Sequence, residues 1–163
     1  MGGRLHVRWH VGTPTIGYEE DSTFSRGDIA RLQLVEAIRL FVDDKFLAAL
    51  TLAGAAEEIL GKLLARQGGT PIIKESAQAI AELRDKTGLS VMDGKSQKQL
   101  IDEWNTARNM VKHLVNPESE TITLNCCDEA YWMIRRGLEN ARMLGIEIDN
   151  RDDFDSWFII NAT

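Results

Sequence analysis

The stretch from Lys45 to Gln67, KFLAALTLAGAAEEILGKLLARQ, constrains the fold most. It is dominated by alanine and leucine, the strongest helix formers, and contains no proline, so it reads as one long helix. Gly68, Gly69 and Pro71 end it, because glycine suits the left-handed turn after a helix and proline cannot extend one. A helix this apolar needs covering on several sides. The flanking sequence supplies the cover with helical periodicity. Behind a Ser25 or Asp28 cap, Ile29, Leu32, Val35, Ile38 and Val42 form one stripe. A third helix runs over Ile72 to Lys86, with Ile73, Ala77, Ile80 and Leu83 as its stripe, and the loop TGLSVMDGKS follows. A fourth spans Ser96 to Val115 and stops at Asn116 and Pro117, since a residue before proline is pushed out of helical geometry. A fifth covers Asp128 to Leu144, with Ala130, Met133, Ile134, Leu138, Ala141 and Leu144 along one side. Short links between such helices predict an all-α, antiparallel four- to five-helix bundle over residues 26–146.

The two ends differ from this body. From Arg4 to Val11 the pattern alternates strictly, Leu5, Val7, Trp9 and Val11 against Arg4, His6, Arg8 and His10, which is strand periodicity. Residues 1–25 are therefore an amino-terminal extension, expected to pair or exchange as a β-strand with the apolar segment Trp157 to Ile160. Residues 147–163 carry Glu147, Asp149, Asp152, Asp153 and Asp155 against Arg151, and read as an acidic, solvated carboxy-terminal tail. Thr121 to Leu124 is short and extended.

Composition fits one globular domain: 163 residues, 44% apolar and 27% charged. A chain of this size buries enough surface to form a core without disulfides or metals. Its two cysteines, Cys126 and Cys127, are adjacent, which suits neither a disulfide framework nor a zinc site, and points to a reducing compartment. With no run of 18 apolar residues and no apolar leader after the first methionine, a cytoplasmic location without membrane contact is expected. The net charge of −6 argues against coating nucleic acid through a bulk positive field. Any contact with RNA or phosphate has to be local.

The familiar glycine-rich phosphate loops, zinc-protease, nucleophile-elbow and EF-hand signatures are absent from the sequence. What remains lies on the fourth helix. Leu100, Trp104, Ala107, Val111 and Leu114 form its apolar stripe, and opposite them runs a polar column of Asp102, Asn105, Asn109, His113 and Asn116, flanked by Arg108 and Lys112. A histidine exchanges protons near neutral pH. An arginine carries a permanent charge on a planar fork that matches a phosphate. Asn109 stands one turn before His113, at the spacing that lets it orient the ring or a substrate oxygen. Trp104, Tyr131 and Trp132 read as core or dimer-interface residues, and Arg135 with Arg136 as either a phosphate track or a solvated surface. Glu57 and Glu58 share one broad face with Gly54 and Gly61; the carboxylates either hold Arg108 or a histidine in place near the cleft, or are solvated or paired, and the glycines permit close helix approach.

The segment from Arg108 through Asn109 to His113 has the form R-x4-6-H with asparagine directly after the arginine, and it resembles the signature of HEPN-domain proteins, which are small helical bundles. The stretch LAGAAEEILGKLL, Leu52 to Leu64, is similar to the small-residue, acidic second helix of bacterial members. Arg4 and His10 match the spacing as well, but outside any bundle helix. The resemblance covers Ser25 to Leu144. It implies a homodimer whose motifs meet in one cleft, and metal-independent, cofactor-free cleavage of RNA of the toxin or defence type. On this chain Arg108 would grip the scissile phosphate, His113 would move a proton and Asn109 would assist, with Lys112, Asn105, Glu58 and Arg135 as candidate substrate contacts. In-line attack by a 2′-hydroxyl needs one group to remove a proton and another to protonate the leaving oxygen, so a single histidine in each protomer's bundle favours a two-fold site. The alternatives are an RNA- or nucleotide-binding relative without turnover, the helical partner of a nucleotidyltransferase-like antitoxin, and a plain dimerisation scaffold.

Overall fold

The computed structural model describes residues 22–113 and 120–161, and these form seven α-helices and one 3-10 turn, with no strand among them. The amino-terminal alternating segment, and Leu114, Val115 and Asn116 at the expected end of the fourth helix, lie outside the described residues. The bundle is all-helical, as the periodicity predicts. No helix among the described residues is long and apolar enough to cross a membrane.

Helix α1 (Arg26–Val42) opens on a reciprocal cap: the Ser25 hydroxyl accepts from the Asp28 amide at 3.0 Å, and the Asp28 carboxylate accepts from the Ser25 amide at 3.3 Å. Its buried stripe is Ala30, Leu34, Ala37, Ile38 and Phe41. This corrects the expected stripe: Leu32 and Val42 are exposed, and the alanines face inward because their small side chains let the next helix come close. A tight turn through Asp44, at φ 60°, reverses the chain into α2 (Phe46–Arg66). Aspartate tolerates that left-handed geometry better than most residues.

Helix α2 forms the spine, packed between α1 and α6 (Cys126–Met143), with Leu50, Ala53, Ala56 and Leu60 fully buried. The stripe expected for the last bundle helix is the one that α6 buries, Ala130, Met133, Ile134, Leu138 and Ala141, behind an Asn125 cap on the Asp128 amide at 3.2 Å. Helix α3 (Ile72–Thr87) starts after Pro71 with no cap of its own. The buried Asn140 of α6 supplies it from across the bundle, its Oδ1 accepting from the Ile72 amide at 3.0 Å. Gly61 lies beside this junction, where a Cβ would sit 3.6 Å from both Asn140 and Pro71, at ordinary van der Waals contact.

The expected fourth helix is two helices, α4 (Gln97–Trp104) and α5 (Thr106–Lys112), broken at Asn105. The acidic tail also departs from expectation. Residues Arg151–Asn161 form α7, which packs along α1, with Phe154 fully buried. Asp149, itself well exposed, pairs with Arg31 at 2.8 Å and the Asn150 side-chain amide donates to the Val35 carbonyl at 2.9 Å, so the turn before α7 is tied to α1. Phe41, Phe46, Phe154 and Trp157 close this end of the core as edge-to-face rings, with centroids 4.6 to 6.1 Å apart. Of the two places expected for Trp132, core or dimer interface, its 62% exposure excludes the core; Phe158, Ile159 and Ile160 are exposed as well.

Candidate functional site

Just after the break at Asn105, Arg108 faces α2 rather than solvent. Gly54 makes this possible: a Cβ on it would lie 2.7 Å from Arg108 Cγ and 3.1 Å from its Cδ. The arginine stem therefore lies across a bare patch of α2 backbone. Its Nη1 reaches Glu57 Oε2 at 3.1 Å, with the two side chains only 14% and 5% exposed. One turn on, Lys112 Nζ meets Glu58 Oε2 at 3.0 Å, and Lys62 meets the other oxygen of Glu58 at 2.7 Å. Two adjacent carboxylates of α2 thus receive the two cations of α5.

A second arginine enters from α6. Arg136, 12% exposed, places Nε 4.0 Å from Glu57 Oε1. Its Nη1 donates to the carbonyl of Trp104, the last residue of α4, at 3.1 Å, and its Nη2 lies 2.9 Å from Met133 Sδ. A helix end exposes carbonyls that its own turns do not satisfy, and a guanidinium is a suitable donor to them. The Nε atoms of Arg108 and Arg136 are both buried without a hydrogen-bond partner. Burial pulls Arg136 below the ordinary arginine value; Glu57 opposes that shift, and the like charge of Arg108 adds to it. Glu129, farther along α6, is held above the ordinary carboxylate range chiefly by burial.

The hydrogen bonds from Lys62 and Lys112 pull the Glu58 carboxyl from 4.5 down to about 2, against a smaller opposing effect of burial. Its folded value lies below its unfolded one, so the stabilisation is full above pH 4.5 and fades as the pH falls toward 2. Solvent screening at this partly exposed pair limits it to about 1 kcal/mol. Urea unfolding of wild type and Glu58→Gln should show the variant less stable at pH 7, with the gap closing across that acid window. A gap independent of pH would mean that charge pairing is not its source.

The remaining predicted residues are spread more widely. His113 ends α5 in extended geometry, φ −136° and ψ 146°, exposed, with its amide donating to the Asn109 carbonyl at 3.0 Å. Asn109 is exposed on the same short helix, and Asn105 sits at the break with Oδ1 buried and without a donor. Arg135 points elsewhere, its Nη1 3.6 Å from Asp155 of α7. The arginine beside Arg108 is Arg136, which the sequence offers only as half of an undifferentiated pair. Cys126 and Cys127 are free thiols in the first turn of α6, and burial raises Cys127. Among the described residues, no three histidine, cysteine or acidic side chains converge as a metal site would require.

The chain matches no family model, no curated protein and no solved structure.

Proposed function

We propose that this chain is a HEPN-like, metal-independent endoribonuclease of toxin or defence type, acting in the cytoplasm as a homodimer with a composite RNA-cleaving site. The observation that carries the reading is local charge. Arg108, Arg136, Lys112 and Lys62 gather on Glu57 and Glu58, four cations on two carboxylates, in a chain of net charge −6. That excess lies on and beside the short helix that ends in His113, the only histidine among the described residues. An acidic protein that concentrates positive charge beside a proton-transfer group is equipped for a phosphodiester.

In this reading the RNA 2′-hydroxyl attacks phosphorus, its proton passes to a base, and the bond to the 5′-oxygen breaks as that oxygen takes a proton. Arg108 stabilises the charge that builds on the phosphoryl oxygens. Glu57 holds the guanidinium in place beforehand, so little reorganisation is left for the reaction itself. His113 from each protomer supplies the base and the acid, and Asn109 orients the ring or a substrate oxygen.

Two experiments bear on it directly. Cleavage of labelled RNA in excess EDTA should persist, and specific activity should follow the dimer population as protein is diluted; loss of cleavage on chelation, or full activity in a monomer, contradicts the reading. Gly54→Ala should lower cleavage about tenfold or more by pushing Arg108 off Glu57. Helix propensity favours alanine by about 1 kcal/mol, which offsets overpacking of similar size, so the melting point should move by only about 5 °C or less. Unchanged cleavage in this variant would separate Arg108's seat from the activity.

A second reading is favoured by a different observation. Trp132, Ile159 and Ile160 are 62%, 74% and 72% exposed, apolar surface of the kind that a protein partner covers. An RNA-binding relative without turnover, bound to an antitoxin, would bind RNA in a salt-dependent way and leave it intact.

A further inference from the structure

Resting on the RNA reading above, we propose that Arg136 is the positioning residue that leaves Arg108 with charge to offer a phosphate. A one-to-one pair of Glu57 and Arg108 would be neutral and nearly buried, with its attraction for an external anion largely cancelled. Arg136 changes the balance. It approaches the other carboxylate oxygen, at 4.0 Å against 3.1 Å for Arg108, so that the contact cluster carries one positive charge more than its carboxylate neutralises. Uncompensated charge this far from water is costly, and an arriving anion relieves the cost.

The rest of Arg136's bonding shows how that charge is held. Its Nη1 is anchored on the Trp104 carbonyl, at the end of α4, and its Nη2 lies against Met133 of its own helix. These are neutral acceptors, so they fix the guanidinium without consuming its charge. One side chain thus ties the end of α4, beside the α4–α5 break, to the carboxylate that receives Arg108. Both arginine Nε donors are buried without acceptors, so neither guanidinium is fully compensated by the protein around it. Glu129 attracts Arg136 from a distance but lies beyond ion-pair reach of it, and burial holds the Glu129 carboxyl above its ordinary range, so it offsets the charge only in part.

The test is a charge-rescue cycle on the full chain, read by binding of an uncleavable 2′-O-methyl RNA at several salt concentrations. Arg136→Met makes the cluster neutral, and it should weaken binding about tenfold and flatten the logarithmic salt slope by ~0.7, the value for one phosphate charge on a single strand. Adding Glu57→Gln restores the net charge, because the amide oxygen still accepts from Arg108; the double variant should bind within about twofold of wild type, with the wild-type slope. A purely structural role for Arg136 predicts the reverse, since the double variant loses more contacts than the single one.

If Arg136→Met does not fold, Glu57→Gln alone serves, and should bind more tightly with a steeper slope; an unchanged slope overturns the proposal. Arg136→Lys, which keeps the charge, should bind within about threefold of wild type. Wild-type binding with an unaffected Arg136→Met, or with no recovery in the double variant, overturns the role of Arg136 and leaves the RNA reading standing. A wild type that neither binds nor cleaves RNA overturns both.

Discussion

Arg108→Ala is expected to reduce RNA cleavage by roughly 10²–10³-fold, the usual consequence of removing one group aimed at developing transition-state charge. The same substitution should destabilise the fold by about 1–3 kcal/mol, because it strips the nearer partner from a carboxylate that is 5% exposed. The loss stays below that of an orphaned buried charge because Arg136 already stands 4.0 Å from the same carboxylate. Arg108→Lys separates the two effects. A lysine can still neutralise Glu57 but cannot present a planar fork to a phosphate, so stability should largely return while activity stays low. Chemical denaturation and single-turnover cleavage on the same preparations check both parts. Full activity in Arg108→Ala would remove the arginine from the chemistry.

Phe41→Ala should be the most destabilising single change in the core, at about 3–5 kcal/mol, which corresponds to a fall of ~6–20 °C in melting temperature for a domain of this size. Phe41 is fully buried and meets the rings of Phe46 at 5.1 Å, Phe154 at 5.4 Å and Trp157 at 4.6 Å, so it joins α1, the start of α2 and α7 at one point. Deleting the ring leaves a cavity that this junction cannot fill without moving α7. Hydrogen exchange in α7 should therefore quicken more than in α2. A cost under about 1 kcal/mol, with α7 amides still protected, would mean that α7 is not seated on α1 as described.

The parts of this fold that were legible in the sequence are those governed by local chemistry. Alanine and leucine content placed α2 within a residue of each end, and the stripe of α6 was readable because large apolar side chains mark it. In α1 the larger Ile, Leu and Val mask the inward alanines Ala30 and Ala37, which are fully buried where the helices pack closely. In the tail, five acids obscured the helical spacing of Phe154 and Trp157, a signal that was present and outweighed.

The site was legible in its residue types and not in its pairings. Glu57 on the same face as Gly54 was a visible hint that α2 could receive a cation. That one of these glutamates holds Arg108 is among the alternatives the sequence offers; selecting Glu57 for it required knowing that Arg108, 51 residues away, lies across Gly54. The break at Asn105 has no clear local cause such as proline or glycine. The Trp104 carbonyl beside it is held by Arg136, 32 residues later, and nothing in the order of Arg135 and Arg136 distinguishes the one that turns inward.

The central claim is that Arg108 and His113 together act on an RNA phosphodiester. The most direct measurement is the chemistry of the ends produced from a defined RNA in EDTA by wild type, Arg108→Ala and His113→Ala, each confirmed as a dimer. The account predicts 2′,3′-cyclic phosphate and 5′-hydroxyl ends from wild type, and loss of cleavage in both variants. Ends of another kind, or equal cleavage by all three proteins, would contradict it.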